Sequence, residues 1–248
     1  MKAIYKRELR AYFKSPLGYV FLAAYFFVAS ATFVAINMFL TGRTSLTDFF
    51  TYVSLVFIFT IPVLTMRLFA EERKSKTDQL LLTAPVRITD VVLGKFLAAS
   101  TVLLIGVAAS TIYIPIMEMY GTPAVAECLI GYLGLFLMGL FFVAFGTFMS
   151  SITESPVIAA ISTSVIIFFL WLLGLLGLGN IQFARVMPLG IEWLGKALDW
   201  VMDFISITNR MYDFTLGTLN LVPVFYFVSL TGLFLFLTVR VIERRRWK

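Results

Sequence analysis

Six stretches of this chain carry no charged residue, and each is long enough to cross a lipid bilayer. Bounded by charged residues, they run 15–42, 49–66, 96–117, 128–153, 155–184 and 214–239. A bilayer's hydrocarbon core is about 30 Å thick and a helix rises about 1.5 Å per residue, so roughly 20 apolar residues suffice to span it. The run at 49–66 only just reaches that length; the others exceed it. A soluble fold of this size would not string six such runs together. The expectation is an all-α, six-span polytopic membrane protein whose function lies across or within a membrane.

Composition agrees. Charged residues make up 14% of the chain and hydrophobic ones 60%, against about 25% charged in ordinary soluble domains. Six spans and their loops nearly use up the 248 residues, which leaves no room for a separate soluble catalytic domain. The first run is too long for a cleavable signal peptide, and no small-residue cleavage site with a soluble sequence follows it. A single cysteine, Cys128, excludes an intramolecular disulfide or a multi-cysteine metal site. The chain has no histidine, which removes the commonest haem ligand, metal ligand and acid–base residue.

The distribution of positive charge sets an orientation. Every Lys and Arg lies in the N-terminal segment, in the loop after the second run or at the C-terminus, except Arg43, Arg185, Lys196 and Arg210. Basic residues in short loops stay on the cytoplasmic side, so both termini are expected there. The net charge of +6 then reflects topology and anionic headgroups, and no nucleic-acid partner is expected.

Between the runs, several segments have a readable character. In residues 1–14, Ile4, Tyr5, Leu9, Tyr12 and Phe13 interleave with bases at helical spacing, as in an amphipathic helix lying among the cytoplasmic headgroups. Ser15-Pro16 breaks that helix and starts the first span. In the long loop after the second span, Ser75 and Asp78 fit a capping box that opens a short helix, and Pro85 ends it. That helix carries Leu80, Leu81 and Leu82. Two arrangements would bury them: a knob in a groove of a soluble partner, or a helix packed back on its own bundle. Thr89-Asp90 reads as the N-cap and first-turn acid of the third span. Residues 150–156 form a tight hairpin in which Pro156 opens the fifth span and Glu154 is a solvated turn acid. Within 179–213, Ile191, Leu194, Leu198, Val201, Met202 and Ile205 recur at helical spacing, with Trp193 and Trp200 suited to a membrane interface. This external segment serves as a gate or as a lid over helix ends. Small-residue pairs at Gly131 and Gly134, Gly139 and Gly146, and Gly174 and Gly177 mark close helix packing.

What the runs lack narrows the function. They contain no Asp, Glu, Lys, Arg or His; such groups are kept in mid-membrane mainly for function. Their absence argues against a proton- or sodium-coupled transporter, an intramembrane protease and a redox protein. The strongest polar groups are Asn37 and Asn220, near run ends. Gly94-Lys95 and Gly195-Lys196 lack the upstream glycine and following Ser/Thr of a phosphate-binding loop. Energy for active transport would therefore arrive through a partner.

Three blocks carry a resemblance: KRELRAYFKSPLGYVF at 6–21, RLFAEERKSKTDQLLLTAPVRITDVVLGK at 67–95, and YFVSLTGLFLFLTVRVIERRRW at 226–247. Together they resemble the permeases of ABC-2 type transporters, most closely the branch that includes gliding-motility-associated permeases. The resemblance spans essentially all of 1–248 as one transmembrane domain. It implies a six-span subunit of the cell membrane that pairs with a second permease copy, homo- or heterodimeric, and sits on a cytoplasmic ABC ATPase dimer. Residues 1–14 would be its elbow helix, 71–84 its coupling helix, and 180–210 its external helices between spans five and six. The family usually has Gly-Thr-Glu where this chain has Lys76-Thr77-Asp78. The implied coupling residues are Glu71, Glu72, Arg73, Asp78, Leu81, Leu82 and Thr83, with the acids facing bases on the ATPase and the leucines filling an apolar cleft. The implied path between subunits is lined by Phe57, Phe59 and Met66 of the second span and Ile166, Phe169 and Leu173 of the fifth; the same residues would equally form the packed seam of the dimer. An apolar lining suits an amphiphilic or lipid-linked cargo better than an ion, which needs ligands to replace its water. No cofactor is expected in the chain itself, with ATP and Mg on the partner. The function so implied is the permease subunit of an ATP-driven exporter; the alternative is a non-transporting membrane anchor or signalling subunit of an ATPase complex.

Overall fold

Ser15-Pro16 makes the first break in the chain. Helix α1 (Lys2–Lys14) stops at Ser15, whose extended backbone (φ −94°, ψ 158°) sends the chain into α2 (Pro16–Thr32) with proline at its first turn. There proline's missing N–H leaves no bond unmade. The computed structural model describes residues 1–41, 46–77, 86–175 and 206–246. Among these, all regular structure is helical. After α2 the helix widens into π-type turns over Phe33–Thr41. Then follow α3 (Thr47–Thr65), the short α4 (Ala70–Lys74), α5 (Ile88–Ser110), α6 (Tyr113–Glu118), α7 (Val125–Ile152), α8 (Pro156–Leu175), α9 (Ile207–Thr215) and α10 (Leu221–Arg246).

Among the described residues six helical segments are long and apolar enough to span a membrane: Pro16–Ile36, Thr47–Lys74, Ile88–Glu118, Val125–Ile152, Pro156–Gly174 and Leu221–Arg245. The second, third and fourth bury most of their length and form the interior. The first, fifth and sixth leave most of theirs facing outward. Helix α7 is the hub, packed against α3, α5, α8, α9 and α10. It can take that many neighbours because its buried face is partly glycine. A Cβ at Gly131 would strike the Phe50 ring, at Gly134 Phe214, at Gly139 Leu103 and at Gly146 Thr65. Gly174 of α8 lies equally close to Thr208. Lipid is as apolar as these side chains, so close approach rather than a hydrophobic drive holds such helices together. The small-residue spacing is packing, as its pattern suggests; Gly177 lies outside the described residues.

Hydroxyls inside the bundle are satisfied locally. Thr60, Ser100, Thr147, Thr163 and Thr238 each donate to the carbonyl four residues back. Where they reach across helices they tie spans together: Tyr132 donates to Ser110 O at 2.6 Å, and the Tyr25 and Ser110 hydroxyls meet at 2.8 Å. At that end Phe33 stacks on Tyr113 at 4.7 Å, and Phe49 and Phe50 pack edge-on against Tyr132.

Some helix boundaries differ from their sequence signals. Helix α5 begins at Ile88 after Arg87, so Thr89 lies inside its first turn rather than at the cap; Asp90 is the first-turn acid as expected. Asn220 accepts from Val222 N–H at 3.1 Å and so caps α10. Of the external segment only the end is described: Ser206 accepts from Asn209 N–H and caps α9, whose Ile207, Met211 and Phe214 are buried. The expected apolar face from Ile191 to Ile205, with Trp193 and Trp200, lies outside the described residues.

Gly146→Ala tests the hub. Its Cβ would collide with Thr65 Oγ1, and such overpacking costs about 1–3 kcal/mol. The thermal midpoint in detergent is expected to fall, and adding Thr65→Ala to recover part of the loss.

Candidate functional site at the basic end of the bundle

The end of α3 is where the helix ladder is interrupted. After Thr65 the chain turns through Met66–Phe69 and re-enters a helix at Ala70. A new helix start leaves backbone N–H groups without intrahelical partners. Here a neighbouring span supplies the acceptor. Ser150 of α7 is fully buried; its Oγ accepts from Phe69 N–H and Ala70 N–H, both at 3.1 Å, and donates to Met66 O at 3.0 Å. The bend is thus stitched to the hub.

Helix α4 is held on its other side by charge. Lys95 lies seven residues into α5, on the stripe of Ile88, Val91 and Val92, all buried. Its side chain is 2% exposed. An ammonium has three protons, and three oxygens receive them: Leu68 O at 2.6 Å, Glu72 Oε1 at 2.8 Å and Glu8 Oε1 at 3.4 Å. The nitrogen also stands 5.1 Å from the centre of the Phe69 ring. Arg7 closes the group, 2.6 Å from Glu8 Oε1 and 3.3 Å from Glu72 Oε1. The hydrogen bond to Glu8 is the main reason the Arg7 guanidinium is pushed above its ordinary pKa. Two carboxylates and two cations from α1, α4 and α5 therefore neutralise each other at one point.

Two further bonds keep α1 against the bundle. Tyr12 is buried and donates to Leu64 O at 2.9 Å; burial first, then the negative Glu8, push its hydroxyl well above the usual tyrosine range, so it stays a donor. The Tyr5 hydroxyl meets Thr101 Oγ1 at 3.0 Å. Beside them, between α1 and the α3–α4 turn, lies a crevice of about 230 Å³ lined by Glu8, Tyr12, Ser15, Arg67 and Glu71.

Helix α4 also reaches the α7–α8 hairpin. Arg73 donates to Ile152 O at 2.6 Å and pairs with Glu154, and Arg245 from the end of α10 donates to the same carbonyl at 3.3 Å. Glu154, read from sequence as a solvated turn acid, is thus an exposed partner of Arg73. The N-terminal segment, the loop after the second span, the hairpin and the C-terminus meet at one end of the bundle, as an alternating six-span topology requires.

The sequence-derived coupling residues divide. Glu71 is exposed and lies 3.7 Å from Arg67. Glu72 is turned inward to Lys95 and Arg7. Arg73 is engaged with the hairpin. Asp78, Leu81, Leu82 and Thr83 lie outside the described residues. Ser75 is the C-cap of α4; the helix that its capping box with Asp78 is expected to open lies outside the described residues. The Ser75 backbone is helical (φ −85°, ψ 0°), and its Oγ donates to Glu71 O and Glu72 O. The next residue, Lys76, takes a positive φ of 56°. Lys76 N–H bonds Arg73 O and Thr77 N–H bonds Glu72 O, the paired bonds of a Schellman helix end, whose left-handed residue is usually glycine. This is the position where the resemblance leads one to expect Gly.

The proposed path residues divide as well. Phe59 and Phe169 are more than half exposed and Ile166 is 39% exposed, while Met66 and Leu173 are partly buried. The Phe59 ring stands 6.3 Å from Phe168, so the outer faces of α3 and α8 are continuous. Phe57 is fully buried and stacks on Tyr25 at 5.6 Å. Two positions apart on a helix is about 200°, so Phe57 and Phe59 cannot share a face. Phe57 belongs to the interior.

Lys95 and Glu8 were missed in the sequence. The signal was present: both fall on inward registers, Lys95 seven residues after Ile88 and Glu8 four after Ile4. As a run-bounding charge, Lys95 only marks an edge.

The family described as "ABC-2 family transporter protein" matches residues 2–244. No curated protein matches the chain.

Two expected outcomes follow from the junction. Ser150→Ala would leave two buried N–H groups without an acceptor, a loss of about 1–3 kcal/mol; amide exchange at Phe69 and Ala70 is expected to speed up while that of α8 holds. Lys76→Gly would relieve about 1 kcal/mol of left-handed backbone cost, seen as slower exchange at the Thr77 amide; unchanged exchange would contradict that cost.

Proposed function

This chain belongs to the ABC-2 family of transporter proteins, and we propose that it is the permease subunit of an ATP-driven exporter, coupled to separate ATPase subunits through the segment that follows its second span. The observation that carries this reading is the anchoring of α4. A short loop helix with nothing to transmit would need one attachment. This one is bonded to α1, α5, α7 and the α7–α8 hairpin, so a push on the segment beyond it would reach three spans at once.

The basic end is then the cytoplasmic end, with both termini there in the cell membrane. The partner is a cytoplasmic ABC ATPase dimer that binds ATP and Mg. Glu71, exposed and 3.7 Å from Arg67, is the acid of α4 that faces outward to meet it; Asp78, Leu81, Leu82 and Thr83 continue the contact, the two leucines contributing roughly 3–6 kcal/mol before ordering costs. A second permease copy would meet the continuous outer face of α3 and α8, where Phe59, Met66, Ile166, Phe169 and Leu173 line the path or its seam. That face is apolar and aromatic, which favours an amphiphilic or lipid-linked cargo.

Leu81→Asp combined with Leu82→Asp is expected to abolish co-purification of the ATPase in mild detergent while the permease still inserts and keeps its thermal midpoint. Unchanged co-purification would return these leucines to a place on their own bundle.

A further inference from the structure

We propose that Lys95 is a positioning residue for ATPase coupling: its buried ammonium latches α1, the α3–α4 turn and α5 into one lever, so that movement of α4 is carried into the third span and the elbow helix together. This rests on the permease reading above. Among the described residues, Lys95 is the one charged side chain that is buried. A lone ammonium in such a place is costly, and here each of its protons goes to a different structural element: the Leu68 carbonyl of the turn, Glu72 of α4 and Glu8 of α1. Gly94, beside it, lets Ile4 and Tyr5 of α1 sit directly on α5, where a Cβ would stand 3.0 Å from Ile4.

The two attachments of α4 are separable. Ser150 and the hairpin hold it to α7 through hydrogen bonds and an ion pair that do not involve the Lys95 ammonium. Lys95 and Arg7 hold it to α5 and α1. If Lys95 is removed alone, Arg7 is left as the single close cation for two carboxylates, and the partly buried Glu8 and Glu72 repel. If Lys95 and Glu72 are neutralised together, Glu8 keeps Arg7 and charge is balanced, but the link from α4 to α5 is gone. Lys95→Met with Glu72→Gln therefore removes the latch without stranding a buried charge.

The test uses the full chain in nanodiscs, in a Cys128→Ser background, with spin labels on Lys6→Cys and Lys74→Cys, both exposed positions. Electron–electron distances across α1 and α4 are expected to be narrowly distributed in the parent and in Lys95→Arg, and broad in the Met/Gln double variant, at a near-parental thermal midpoint. With the soluble P-loop protein that co-purifies with the parent, the double variant is expected to retain binding but lose its permease-dependent change in ATP hydrolysis by at least about fivefold, and Lys95→Arg to keep it. A narrow distribution in the double variant would overturn the latch. A broad distribution with unaltered permease-dependent hydrolysis would overturn the positioning role. If the parent retains no P-loop protein, the permease reading fails and the positioning role with it, while the spin labels still report the latch.

Discussion

A buried ammonium governs the architecture of the basic end. Removing Lys95's partners from a site this dry would cost about 3–5 kcal/mol, so the elements that supply them are held in fixed relation. Leu68 O can be reached because the helix of the second span is interrupted there, and that interruption is tolerated because Ser150 accepts the freed N–H groups. The seat of Ser150 in turn depends on Gly146, which brings α7 against Thr65. One charge, one hydroxyl and one missing side chain thus make a bend that lipid alone would not permit.

Elsewhere among the described residues most span hydroxyls return to their own backbones, a few such as Tyr25 and Tyr132 at Ser110 tie neighbouring spans together, and the interior is aromatic. Specific charge is concentrated at one end, where α4 bridges α1, the third span and the hairpin after the fourth. In a transporter whose energy is supplied from outside the membrane, that is where a mechanical input would enter. The continuous outer face of α3 and α8 lies farther along the same helices, so an element moved at the junction is directly connected to the face proposed to line the path.

Much of this was legible from residue order. The six spans follow from run length, the start of α2 from Ser15-Pro16, and close packing along α7 from its glycines. Registers and long-range partners were harder. The resemblance assigns Phe57 and Phe59 to one lining, although helical geometry sets them on opposite sides. Ser75 also closes α4, a role its capping signal toward Asp78 does not announce and the left-handed Lys76 reveals. The pairing of Glu72 is not legible locally, because the cation it meets, Lys95, is 23 residues later in the chain. Lys95 was overlooked because it ends a charged loop and begins a span; which of the two owns it is decided by α1 folding back over Gly94, a tertiary event that local pattern does not encode.

The central claim is that a soluble ATPase engages this chain at the segment leading out of α4. Site-specific photocrosslinking from a benzoylphenylalanine placed at residue 81 of the otherwise intact protein, in native membranes, tests it most directly. The account predicts an adduct with a P-loop protein, lost when that protein is depleted. An adduct formed only within the permease itself would contradict it.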